Sequence, residues 1–95
     1  MLTKVLVLTD CTDGMMWYAK LEIGSVLPLR GNWIEGYHSI EPAGYSNVVH
    51  FKDARVAWIE LDDLLEHGYY KPPKEGTLYD APPPSSPEEK SPQSD

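Results

Sequence analysis

The sequence predicts a mostly β fold: a small antiparallel barrel or rolled sheet, closed by a short C-terminal helical turn and followed by a proline-rich tail. Three observations carry this. Apolar and β-branched residues come in short runs, at close spacing. Gly, Asp, Asn and Pro separate the runs, and these are the residues of tight turns. Beyond Tyr70 the composition changes: seven of the nine prolines lie there, so the apolar runs stop.

The elements follow in order. "LTKVLVLTD" is rich in Leu and Val and ends in turn chemistry, so it reads as a buried strand. "TDG", residues 12–14, supplies a turn. "MMWYAKLEIGSVLPLR" reads as an arm and then a second strand, with Gly24 at a turn or bulge. Pro28 cannot donate to a ladder, so this strand lies at an edge or bulges. "GNW", residues 31–33, makes the next turn, and "NWIEGYHSIE" alternates in part. "EPAGYSN" is a loop, "YSNVVHF" a further strand and "KDA" another turn. In "RVAWIELDDLLEHGYY" the first half suits a strand, with Val56, Trp58 and Glu60 opposite Ala57, Ile59 and Leu61. The second half suits a helical turn, with Asp62 as N-cap and Gly68 as the left-handed stop. The alternative is an α+β arrangement in which residues 55–67 form one amphipathic helix over a sheet.

A chain of 95 residues holds one domain with a limited core. We expect that domain over residues 1–70. Residues 71–95 are too poor in apolar surface to offset the entropy of ordering, so the sequence predicts them disordered. Leu78 and Tyr79 interrupt that polar stretch, as a docking motif or a segment that folds back. "PSSP", residues 84–87, has PxxP spacing without a flanking arginine.

The single cysteine, Cys11, permits no intramolecular disulfide, and no run is long enough for a transmembrane helix or a signal peptide. A cytoplasmic protein is expected. The net charge is −7, and residues 1–70 alone carry ten acids and five bases. That balance disfavours direct nucleic-acid binding, which needs a basic footprint. It suits partners with basic surfaces.

The order "DGMMWYAKLEIGSVLPL … WIEGYHSI … YSNVVHFKDARVAWIELDDL" is similar to a loose group of very small phage-type proteins with Src-homology-3-like (SH3-like) barrels. The resemblance spans about residues 2–66. Its markers are Trp17, Tyr18, Ile23, Gly24 and Val26, then the closing segment Val56–Leu61. It implies an SH3-like barrel and a phage or mobile-element origin. Members of that class often inhibit or modulate host machinery. The acidic loop with paired tryptophans and the Pro-x-x-Tyr close of the peptide-binding version are lacking, so binding of proline-rich ligands is not implied.

The chemistry-bearing residues point away from an enzyme. Acids, not bases, stand beside Cys11 at Asp10 and Asp13, which disfavours a nucleophilic role. His38, His50 and His67 lack metal-ligand spacing, the acids of "ELDDLLE" lack a calcium-loop pattern, and "GSVLPLRG" is no phosphate loop. No metal or cofactor is expected. Aromatics are more informative, because Tyr and Trp suit surfaces that become buried on binding. Trp58 is the first choice for the core, with Trp33 or Tyr37. Trp17, Tyr18, Tyr45, Tyr69 and Tyr70 flank turns or the domain boundary and form the candidate binding patch, with Asp62, Asp63 and Glu66 as its acidic rim. The expected function is a non-enzymatic module that binds another protein, such as a host protein with a basic, nucleic-acid-binding face, and acts as its modulator or inhibitor. Two alternatives stand beside it. One is a self-assembling virion or scaffold subunit, with Trp17, Tyr18 and the Pro28 edge as its seam. The other is a small-ligand binder with a pocket between subunits.

Overall fold

The computed structural model describes residues 1–81; "PSSP" and the rest of the expected tail lie outside the described residues. Two antiparallel sheets curl into a half-barrel that is compatible, at a coarse level, with an SH3-like fold. The first sheet has the order β2-β1-β6-β7: Val26–Leu27, Leu2–Leu8, Ala54–Glu60 and Leu78–Tyr79. The second has the order β3-β4-β5: Gly31–Asn32, Gly36–Ile40 and Ser46–His50. A 3₁₀ turn, Phe51–Asp53, leads into β6, and the helix α1, Leu61–His67, leaves it.

β1 organises the core. It pairs with β6 along its whole length, from Leu2 opposite Glu60 to Leu8 opposite Ala54, and with β2 on its other side. Val5, Leu6, Val7 and Leu8 are all buried, because both faces of this strand are covered. Val5 and Val7 join Val26, Ala57, Ile59 and Leu64 of α1 on one face, with Leu78 packed against them. Leu6 and Leu8 join Leu27, Ala54, Tyr18 and Val49 on the other. The unbroken "KVLVL" run is thus the partition between two clusters.

Residues 55–67 are not one helix. β6 alternates, with Ala57 and Ile59 inward, and α1 begins only at Leu61. The helix is capped by Glu60 rather than Asp62, without a side-chain hydrogen bond. Gly68 ends it as expected, at φ 80°, its N–H donating to the Leu64 carbonyl. Trp58, expected in the core, is half-buried, because its side of β6 there faces Lys4, whose Nζ sits 5.6 Å from the ring centroid.

The second sheet also departs from expectation. "GNW" is not a turn: Gly31 and Asn32 pair with His38 and Tyr37, and the chain reverses over residues 33–36. Gly36 is fixed by space, since a Cβ there would lie 2.3 Å from the Val49 carbonyl oxygen.

Residues 71–81, read from composition as part of the tail, lie along the first sheet. The Tyr70 N–H donates to the Val26 carbonyl at 2.7 Å, and the Val26 N–H to the Lys71 carbonyl at 3.2 Å. The chain thus runs along the free edge of β2. It then crosses to the opposite edge of the same sheet, where Leu78 pairs with Ile59 and Tyr79 with Trp58. Composition hid this strap, because one half-buried leucine and a few ladder bonds hold it among prolines and charges.

Candidate functional site

The eight candidate residues separate into three groups. Trp17 and Tyr18 face inward. Turns of i to i+3 type carry the arm from Asp13 to Leu21, with Met16 donating to Asp13, Ala19 to Met16 and Leu21 to Tyr18. This arm lays Met16, Trp17 and Leu21 against the second cluster. Tyr18 is fully buried, contrary to its expected place in an exposed patch. Its hydroxyl donates to Asp53 Oδ2 at 2.5 Å and accepts from the His50 N–H at 3.3 Å.

Asp53 is the buried charge among the described residues, with no exposed surface. Its carboxylate also accepts from the Thr12 N–H at 3.2 Å and the Thr12 hydroxyl at 3.5 Å. Its carbonyl accepts from the N–H groups of Thr9 and Asp10. Burial pushes the carboxyl pKa up, but the bonds from Tyr18 and Thr12 and the nearby His50 outweigh it and hold the group below its ordinary value. Burial, and then the bond to Asp53, push the Tyr18 phenol above its own.

Trp17 has a related task. Its Nε1–H donates to the Val48 carbonyl at 2.8 Å, on the free edge of β5. The Val48 N–H is taken by Asn47 Oδ1, and the His50 N–H by Tyr18. Side chains therefore satisfy edge groups that would otherwise offer a template for another strand. Trp17 and Tyr18 thus hold the Val48 carbonyl and the His50 N–H of this edge within the chain.

Tyr45, Tyr69 and Tyr70 make the second group, and they are dispersed. Tyr45 tips the loop before β5 and is 70% exposed. Tyr69 and Tyr70 lie with ring centroids 5.9 Å apart. Tyr70 packs on the second cluster and donates from its hydroxyl to the Ile40 carbonyl at 2.7 Å, joining the two sheets. Burial, and then Tyr69, raise its pKa. It holds a positive φ of 73°, the only described non-glycine residue to do so, and its packing and hydroxyl bond stabilise that conformation.

The third group is brought together. Asp62 and Glu66 are exposed on α1, one turn apart, and Leu65 stands beside Asp62 at 72% exposure. Asp63 is half-buried on the same helix. Glu60, at the helix entrance, is bound to the N-terminal ammonium at 2.9 Å, and this bond raises the amine's pKa. α1 contains no Lys or Arg. The result is an acidic stripe of Asp62, Glu66 and Asp63 with one exposed apolar side chain, Leu65, at its margin.

Sequence reasoning missed the β3–β4 turn. Arg30 to Glu35 are six consecutive exposed residues, and Ile34 at the tip is 97% exposed. Trp33 is 40% exposed and lies flat on the His38 ring, centroids 4.2 Å apart. The signal was available: an apolar pair sits between Gly31 and Gly36, where turn residues would be polar. An open depression of about 640 Å³ is lined by Asn32, Trp33, Ile34 and Glu35.

Cys11 Sγ lies 3.2 Å from the Asp13 carbonyl oxygen, as a donor in a turn. No group of three or more metal-ligating side chains is gathered among the described residues, and none of their helices is long and apolar enough to cross a membrane. Comparison of the chain with protein-family models, with curated proteins and with solved structures gives no match.

Proposed function

We propose that this chain is a non-enzymatic protein-binding module, which docks through the acidic surface of α1 onto a basic surface of another protein. The observation that carries the reading is the stripe of Asp62, Glu66 and Asp63, with Leu65 held out in water beside Asp62, on a helix without Lys or Arg. An exposed leucine flanked by a stripe of carboxylates supplies an apolar anchor and a charged margin, the usual division of labour in an interface. The finer form of the proposal takes the half-barrel as SH3-like and of the phage type. Its partner is then a host protein whose nucleic-acid-binding face is occluded.

The triple variant Asp62→Asn, Asp63→Asn, Glu66→Gln tests this. Association with the partner should weaken at least about tenfold, chiefly through a slower on-rate. In the wild type it should weaken as salt rises. Equal affinity of variant and wild type, at low and at high salt, would overturn the electrostatic reading.

A further inference from the structure

β6 is fully paired on one side only. There β1 takes all seven of its residues, Ala54 to Glu60. On the other side β7 takes two, with Leu78 opposite Ile59 and Tyr79 opposite Trp58. No described strand lies beside residues 54–57 on that side. The β5 edge is tied up by Trp17, Asn47 and Tyr18, and the β2 edge by Tyr70 and Lys71. The outer edge of β6 has only β7 among the described residues.

Little holds β7 in place. Leu78 packs half-buried on the cluster of Val5, Ala57 and Ile59. Tyr79 is 40% exposed. Arg55 binds Asp80 at 2.8 Å, but both side chains are open to water, and such pairs contribute little. The strap just before β7 closes on itself, since the Thr77 N–H and hydroxyl both donate to the Lys74 carbonyl. Residues 82–84, just beyond, are prolines, which have no N–H to give a ladder.

β7 nevertheless shows what this edge accepts: extended chain, a leucine toward Ile59 and, two residues on, a carboxylate for Arg55. Strand addition at an edge draws affinity from main-chain bonds and specificity from alternate side chains. We propose that the outer edge of β6 is a strand-addition site for an extended segment of another protein, with a leucine and a carboxylate at the spacing of Leu78 and Asp80, and that the strap is its built-in competitor. The strap is tethered, so its effective concentration is high. A segment displaces it by pairing with residues 54–57 as well. The site uses none of Asp62, Asp63 and Glu66 and does not rest on the acidic stripe being a docking surface.

Two synthetic peptides and the full chain test this. TLYDVTVT keeps the strap's residues 77–80 and continues with residues that donate to a ladder. TLYDAPPP copies residues 77–84 as they stand. By fluorescence anisotropy of labelled peptide, TLYDVTVT should bind the wild type, and TLYDAPPP at least about tenfold more weakly. Hydrogen exchange should slow within residues 54–57 when TLYDVTVT is bound. Leu78→Asp removes the competitor's apolar anchor and should tighten that binding by about tenfold or more. Circular dichroism establishes that this variant is folded. If it is not, Asp80→Lys, which breaks only the surface ion pair, replaces it and should tighten binding by about threefold. A wild type that does not bind TLYDVTVT, equal binding of the two peptides, or unchanged exchange within residues 54–57 would overturn the proposal. A folded variant that binds TLYDVTVT no better than the wild type would overturn the strap's part in it.

Discussion

At the scale of single residues, the buried Asp53 carboxylate is the feature most exposed to test. Its partners lie far off in sequence, Tyr18 by 35 positions and Thr12 by 41. That distance is why the sequence suggested an exposed Tyr18: nothing local marks the tyrosine as the donor to a buried acid. Because the folded carboxyl titrates below its ordinary value, it contributes stability that is present above the unfolded pKa of about 3.9 and is lost as pH falls below it. Urea unfolding measured from pH 7 to pH 3 should show the wild type losing stability at the acid end. Asp53→Asn should be less stable at neutral pH and show a flatter acid limb. Tyr18→Phe should cost about 1–3 kcal/mol, because it leaves the His50 N–H without its partner and Asp53 Oδ2 with only the long bond from the Thr12 hydroxyl. At Gly36 the obstacle is steric, and Gly36→Ala should destabilise by about 1–3 kcal/mol or more, since the Val49 carbonyl it meets is backbone.

At the scale of elements, legibility followed local pattern. β1, β5, β6 and the helix stop at Gly68 were readable, because alternation, β-branching and a left-handed glycine are properties of neighbouring residues. The switch from β6 to α1 was read as one of two options, and the burial of Ala57, Ile59 and Leu64 settles it for a strand and a short helix. β3 and β7 were not readable as strands: they are two residues each and owe their existence to the strands they join, though folding back was one of two readings of Leu78 and Tyr79. The strap from Tyr70 to Tyr79 looks like linker composition, yet Tyr70 and Leu78 hold it to opposite edges of one sheet. Truncation after residue 70 should therefore lower the melting temperature by several degrees. Hydrogen exchange should find the Tyr70 amide protected in the intact chain. Trp17→Phe removes the donor to Val48 and should cost about 1 kcal/mol. It should also leave the β5 edge open to pairing, visible as aggregation on standing.

At the scale of the whole molecule, two surfaces remain after the core and edges are accounted for, and they differ in chemistry. One is acidic, at α1, and its members Asp62, Asp63 and Glu66 were legible because helix spacing alone brings them together. The aromatic part of the expected patch was not legible. Tyr18 went to the core, Trp17 and Tyr70 went to joints, and the exposed Trp33 and Ile34 took their place at a turn. The acidic surface bears the central claim, that this chain works by binding a protein with a basic face. Native mass spectrometry of the tagged chain, captured at low salt from a cell lysate, tests it most directly. The account predicts a stoichiometric complex with one basic protein, which the Asp62→Asn, Asp63→Asn, Glu66→Gln variant fails to capture. The chain recovered alone, or the same partner recovered equally by the variant, would contradict it.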